Sequence, residues 1–128
     1  MTRRELRDLD LEIRFLEGVI ERDPHFVEAL RALSVDYGKR GRMHDAVRLD
    51  EYLTQLRPDD PIAHYNLGCH YALIRQFSHA VMSLSRAIEL GYADFHHLLR
   101  DPDLAGLRKH PLFDKLLAKI GLIEVKID

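Results

Sequence analysis

Apolar residues recur every three or four positions along most of the chain, the spacing that places them on one side of a helix. Leu6, Leu9, Ile13, Leu16, Val19 and Ile20 form one such stripe over residues 4–22, with Leu11 and Phe15 outside it. Asp23-Pro24 closes the segment, because proline cannot continue a helix and biases its predecessor away from helical angles. A second helix is predicted over 26–39, with Leu30, Leu33 and Tyr37 on one face and Gly41 as its stop. A third over 44–56 carries Ala46, Leu49, Leu53 and Leu56. Asp60 then suits an N-cap and Pro61 a first helical turn. Two further helices, 62–74 and 78–90, run up to Gly91. Connections this short turn a chain back on itself, so the helices are expected as antiparallel hairpins. The end departs from this period. Ile123-Glu124-Val125-Lys126-Ile127 alternates as a strand does, and 122–128 is expected to be an extended tail. The chain holds no clear second strand, so the tail would lie along the helices or pair with another chain, including a second copy.

The helices repeat. A shift of 34 residues lays Ala29 on Ala63, Leu33 on Leu67, Tyr37 on Tyr71, Ala46 on Ala80, Val47 on Val81 and Leu56 on Leu90. Pro24 falls on Pro58, Ser34 on Gly68 and Met43 on Phe77 by the same shift. Two helices per unit at this period indicate a helical solenoid.

The motif His64-x-x-Leu67-Gly68-x-x-Tyr71, followed by Ala80, Leu84 and Ala87, resembles the tetratricopeptide repeat (TPR). The unit from Val27 to Pro58 resembles it through Leu33, Tyr37, Ala46 and Pro58. Small residues at 68 and 80 would let two helices approach closely. Departures from the pattern are His64 for tryptophan, Arg75 for a turn glycine, Asp50 for a bulky apolar residue and Tyr92 for the closing proline. In this register 4–24 is a second helix without a first, and Glu12 takes the place of Ala46 and Ala80. Residues 93–121 break the register and resemble the degenerate closing segment of bacterial TPR proteins. Asp101-Pro102-Asp103-Leu104 starts one short helix there and His110-Pro111 another. The resemblance implies one all-α domain, a short right-handed TPR-like stack of hairpins. It would hold a half-repeat (4–24), two repeats (27–58 and 61–92), a cap (93–121) and the tail.

Composition narrows the function. The chain has 128 residues, 31% of them charged, with a net charge of −2. That balance lacks the basic field of a nucleic-acid or anionic-membrane binder. No apolar run is long enough to span a membrane, and the first ten residues lack a signal-peptide core, so a cytoplasmic protein is expected. Cys69 is the single cysteine, which excludes an internal disulfide. No two of the eight histidines have the three- or four-residue spacing of helical metal ligands. His97 with Asp101 and His110 with Asp114 fit surface pairs or caps better than metal sites. The carboxylate pairs Asp59-Asp60 and Asp101-x-Asp103 flank prolines at helix starts, where caps belong. The basic runs Arg3-Arg4 and Lys39-Arg40-x-Arg42 are short and read as solvated surface. With no phosphate loop, nucleophile elbow or other catalytic constellation, neither an enzyme nor a cofactor is expected.

The TPR resemblance implies a concave groove lined by the first helix of each repeat. The matching positions are Glu28, Arg31, Val35 and Lys39, then Ile62, Tyr65, Asn66, Cys69 and Leu73, with His96 and Leu99 from the irregular third unit. The reading is a non-catalytic module that binds a peptide or partner helix in this groove. The alternative is a self-associating scaffold, a homodimer formed through the groove's apolar end or the tail.

Overall fold

The computed structural model describes residues 1–127, with side chains through residue 123. The described residues are helical, with turns between helices and no strand. The chain divides into two compact units at Pro58–Asp59, the boundary between the two sequence repeats.

The first unit holds α1 (Arg3–Arg22), α2 (Val27–Arg40) and α3 (Met43–Leu56). Thr2 caps α1 by accepting the Glu5 N–H on its hydroxyl at 3.1 Å, and Glu5 stands in the capping-box position. Leu9, Ile13 and Leu16 are buried with Ala29, Leu33 and Tyr37 of α2 and Ala46 of α3. Leu11 and Phe15, which fall outside the stripe, are exposed, Phe15 by 67%. Val27, Leu30 and Leu53 make a second cluster between α2 and α3.

The second unit holds α4 (Pro61–Leu73), α5 (Phe77–Glu89), α6 (Phe95–Leu98), a 3-10 turn (Pro102–Leu104), α7 (Ala105–Arg108) and α8 (Phe113–Ile127). Asp60 caps α4, accepting the N–H groups of Ile62 and Ala63 at 2.9 and 3.4 Å, with Pro61 in the first turn. The 3-10 turn and α7 pack on α4, and α8 packs on α5. Leu98, Leu104, Leu107 and Leu116 are fully buried, so the irregular segment contributes core of its own.

The segment expected as an extended tail is helical instead. Helix α8 continues to Ile127, and Asp128 lies outside the described residues. Ile120, Ile123 and Ile127 are also three and four apart, so the strand-like alternation carries a helical spacing as well. A helix already formed from Phe113 adds residues at far lower cost than a new element must spend on nucleation.

Corresponding turns close in the same way in both hairpins. The Arg42 N–H reaches the Tyr37 carbonyl at 2.8 Å, and 34 residues later the Gln76 N–H reaches that of Tyr71 at 3.0 Å. This closure needs a left-handed residue at the helix end. Gly41 supplies it with φ +84°; the matching position is Arg75, at φ +63°. The Arg75 guanidinium lies 5.1 Å from the Phe77 ring centre, an attraction that offsets part of the backbone cost.

The helix crossings differ more. A Cβ on Gly68 would stand 2.6 Å from Leu84 Cγ and 3.3 Å from the Ala80 carbonyl oxygen, so only glycine fits there. In the first unit the same two positions are Ser34 and Asp50. Both are buried, and the Ser34 hydroxyl donates to the Asp50 carboxylate. Asp50, which departs from the repeat pattern, is therefore matched by a change at the residue it faces.

The crossing and the turns can each be tested by stability. Gly68→Ala should lower unfolding free energy by about 1–3 kcal/mol, the cost of overpacking. Gly106→Ala is the control, since a Cβ there meets nothing closer than 3.7 Å. Equal urea midpoints for the two variants would contradict the close crossing. At the turns, Gly41→Ala should cost about 1 kcal/mol while Arg75→Gly gains up to about 0.5 kcal/mol after loss of the Phe77 contact. A loss at both sites in thermal unfolding would contradict the left-handed assignment.

Candidate functional site

The expected groove residues fall on two helical stripes, one in each unit. On α2, Glu28, Arg31, Val35 and Lys39 follow one another at three- and four-residue intervals and share a face. Glu28, Val35 and Lys39 are exposed, Val35 by 43%, and Arg31 is half-buried. On α4, Ile62 and Leu73 are exposed and Asn66 is half-buried. His96, on α6, is exposed as well.

Tyr65 and Cys69 are not open to a ligand, contrary to expectation. They are 5% and 4% exposed and are in contact with Tyr92 and Asp101 of their own unit. Tyr92 stacks on Tyr65 with ring centres 4.3 Å apart and planes 8° from parallel. Asp101 then gathers the surrounding donors. Its Oδ2 accepts the Tyr65 hydroxyl at 2.8 Å and the Cys69 thiol at 3.7 Å. The Nε2 of His97 lies 3.1 Å from the same oxygen. Its Oδ1 caps the 3-10 turn by accepting the Asp103 N–H at 3.0 Å, and its backbone carbonyl accepts from Arg108 at 2.7 Å. Residue 101 sits where the repeat would carry leucine. A carboxylate is accommodated there because α4 presents two side-chain donors four residues apart.

The electrostatics follow from burial. The Cys69 thiol is pushed well above its ordinary range, by burial first and then by the charges of Asp101 and Asp103. The Tyr65 hydroxyl is also pushed up, mainly by burial, then by Cys69 and its bond to Asp101. Both groups keep their protons at neutral pH, which makes them donors rather than nucleophiles. The thiol of Cys69 and the carboxylates of Asp101 and Asp103 bring one donor atom each within 4.8 Å of one another, close enough for a single cation. Sequence spacing gave no sign of this group, because Cys69 and Asp101 lie 32 residues apart. His110 instead caps a turn, its Nδ1 accepting the Leu112 N–H at 3.1 Å, and its ring lies 4.9 Å from that of Phe77.

In the first unit the polar feature missed from sequence is Asp36 on α2. It is buried, and its Oδ2 has no hydrogen-bond partner among the described residues. Burial, followed by the charge of Glu12, raises its pKa. The neighbouring Tyr37 hydroxyl donates to Glu17 at 2.6 Å, and burial together with that bond pushes it up to about 12.

Thiol chemistry tests the cover over α4. In native buffer Cys69 should react slowly with an aromatic disulfide reagent. Asp101→Ala should speed the reaction at least tenfold, because it both loosens the covering segment and removes the charge that raises the thiol pKa. Equal rates in the two proteins would show that Asp101 does not hold the segment down.

No protein-family model matches the chain. Over 117 residues, 88% of its length, the chain is 29% identical to a chloroplastic protein of Arabidopsis thaliana, spanning 33% of that protein. Among solved structures it is similar to MamA, with a TM-score of 0.68 and 30% identity, over 85% of this chain and 64% of that one. The chain thus spans about a third of its curated relative and less than two-thirds of its solved neighbour. Its all-helical hairpins, its 34-residue register and these likenesses give it a tetratricopeptide-repeat-like fold.

Proposed function

We propose that the chain is a non-catalytic protein–protein interaction module whose contact surface in the first unit is the α2 stripe of Glu28, Arg31, Val35 and Lys39. The observation that carries this reading is the difference in exposure between matched positions. Val35 is open, whereas Cys69, 34 residues later, is sealed by its own unit. An open stripe with acidic, basic and apolar groups at helical intervals suits a peptide or helix that offers alternating charge and one apolar anchor. In the second unit Ile62, Asn66, Leu73 and His96 remain accessible for further contact.

Self-association is the second reading, and the exposed Leu11 and Phe15 on α1 favour it. Its proposed route through strand pairing of the tail lacks support, because that segment is helical. Among the described residues no helix is long and apolar enough to cross a membrane. A cytoplasmic location accords with that observation and with a single unpaired thiol.

Affinity capture from a lysate, followed by rebinding of each identified partner to variants, tests the contact surface. Val35→Glu and Arg31→Glu together should weaken partner binding at least tenfold without shifting the melting temperature by more than a few degrees. A partner whose binding survives both changes would remove the α2 stripe as the contact surface. Sedimentation at micromolar concentration separates the second reading, since a monomer that stays monomeric contradicts it.

A further inference from the structure

The two basic runs of the sequence, which look like ordinary solvated surface, are brought together by the first unit. Arg3, Leu6, Arg7 and Asp10 of α1 and Arg40 at the end of α2 line one cleft of about 430 Å³. Within it Arg40 Nε donates to Asp10 Oδ1 at 2.8 Å, so those two charges cancel. Arg3 and Arg7 have no ion-pair partner among the described residues and are exposed. They stand four residues apart on one helix face, a spacing at which like charges repel. The cleft therefore keeps two uncompensated positive charges beside the positive end of a 20-residue helix.

We propose that this cleft is a binding site for a phosphate monoester, a phosphorylated side chain of a partner protein. The charge count favours such a group over a carboxylate. A phosphate monoester carries about −1.5 to −2 charges at neutral pH and three strong acceptor oxygens, enough to engage two guanidinium groups at once. A carboxylate has one charge and two oxygens, and Asp10 already gives that arrangement to Arg40. Leu6, half-buried between the two arginines in sequence, offers an apolar contact for the methylene that carries the ester oxygen. The site does not depend on the α2 stripe, and either can fail without the other.

The test is a nitrogen-15 NMR titration of the full chain at low ionic strength, reading the arginine Nε–H signals. The probes are N-acetyl-phosphoserine amide, inorganic phosphate and acetate. The expected result is saturable movement of the Arg3 and Arg7 signals with the phosphoserine amide, at an affinity at least tenfold above that for acetate. The double variant Arg3→Gln/Arg7→Gln should lose at least tenfold in affinity while its helical circular dichroism is unchanged. Arg48→Gln, at an exposed arginine outside the cleft, should bind as the parent does. The proposal is overturned by the absence of saturation, by acetate binding equally well, or by equal losses in the Arg48 variant and the double variant. Saturation by inorganic phosphate but not by the phosphoserine amide also overturns it, since that would mark a free-ion site.

Discussion

The closeness with which two helices cross within a hairpin sets most of what each unit can do. In the second unit the crossing is fixed by Gly68, which lets Leu84 and Ala80 of α5 sit against the backbone of α4. Contact at that range multiplies weak dispersion attractions, and the helices gain a dry, fully buried seam. In the first unit the same crossing is held by a hydroxyl and a carboxylate, Ser34 and Asp50. Loss of either partner removes a hydrogen bond from a buried polar group, which costs stability. One architecture thus rests on two kinds of contact, one steric and one hydrogen-bonded.

The uses of the two first helices diverge from there. Helix α4 has its middle covered by Tyr92 and Asp101 of its own unit, which leaves only the stripe's ends and the half-buried Asn66 within reach of solvent. Asp101 is the centre of that cover. One carboxylate and its own carbonyl receive a phenol, a thiol, a backbone N–H and a guanidinium, with an imidazole alongside. Helix α2 keeps Val35 open at the position matching Cys69.

Much of this was legible from residues whose role is local. Asp60-Pro61, Gly41 and the small residue at 68 each act on the backbone within a few positions, so their identities alone announce a cap, a stop and a close crossing. The 34-residue shift made the hairpins legible for the same reason. What could not be read were contacts whose partners are far apart or follow no register. Asp50 looked like a departure until Ser34, 16 residues away, supplied its hydrogen bond. Tyr65 and Cys69 carried every sign of lining a groove, because Asp101 comes from an irregular segment with no repeat to align and Tyr92 stands where the repeat would carry proline. The alternation at 123–127 misled because short-range patterning competes with a helix already under way, and elongation wins. Arg3 and Arg40 belong to two runs that look ordinary separately; only the packing of α1 on α2 gives them one cleft.

A chain built from near-copies of one hairpin faces a hazard that unrelated helices do not, because α2 could fold against α5, or α4 against α3. The unlike crossings discriminate between these outcomes. If α2 met α5, the Ser34 hydroxyl would press on the Leu84 side chain in place of a glycine's empty space. If α4 met α3, Asp50 would face Gly68, which has no side-chain donor to offer it. Each wrong pairing either crowds the seam or strips a buried carboxylate of the hydroxyl it was matched to. The unlike contacts at the two crossings, one steric and one hydrogen-bonded, thus disfavour an exchange of helices between hairpins.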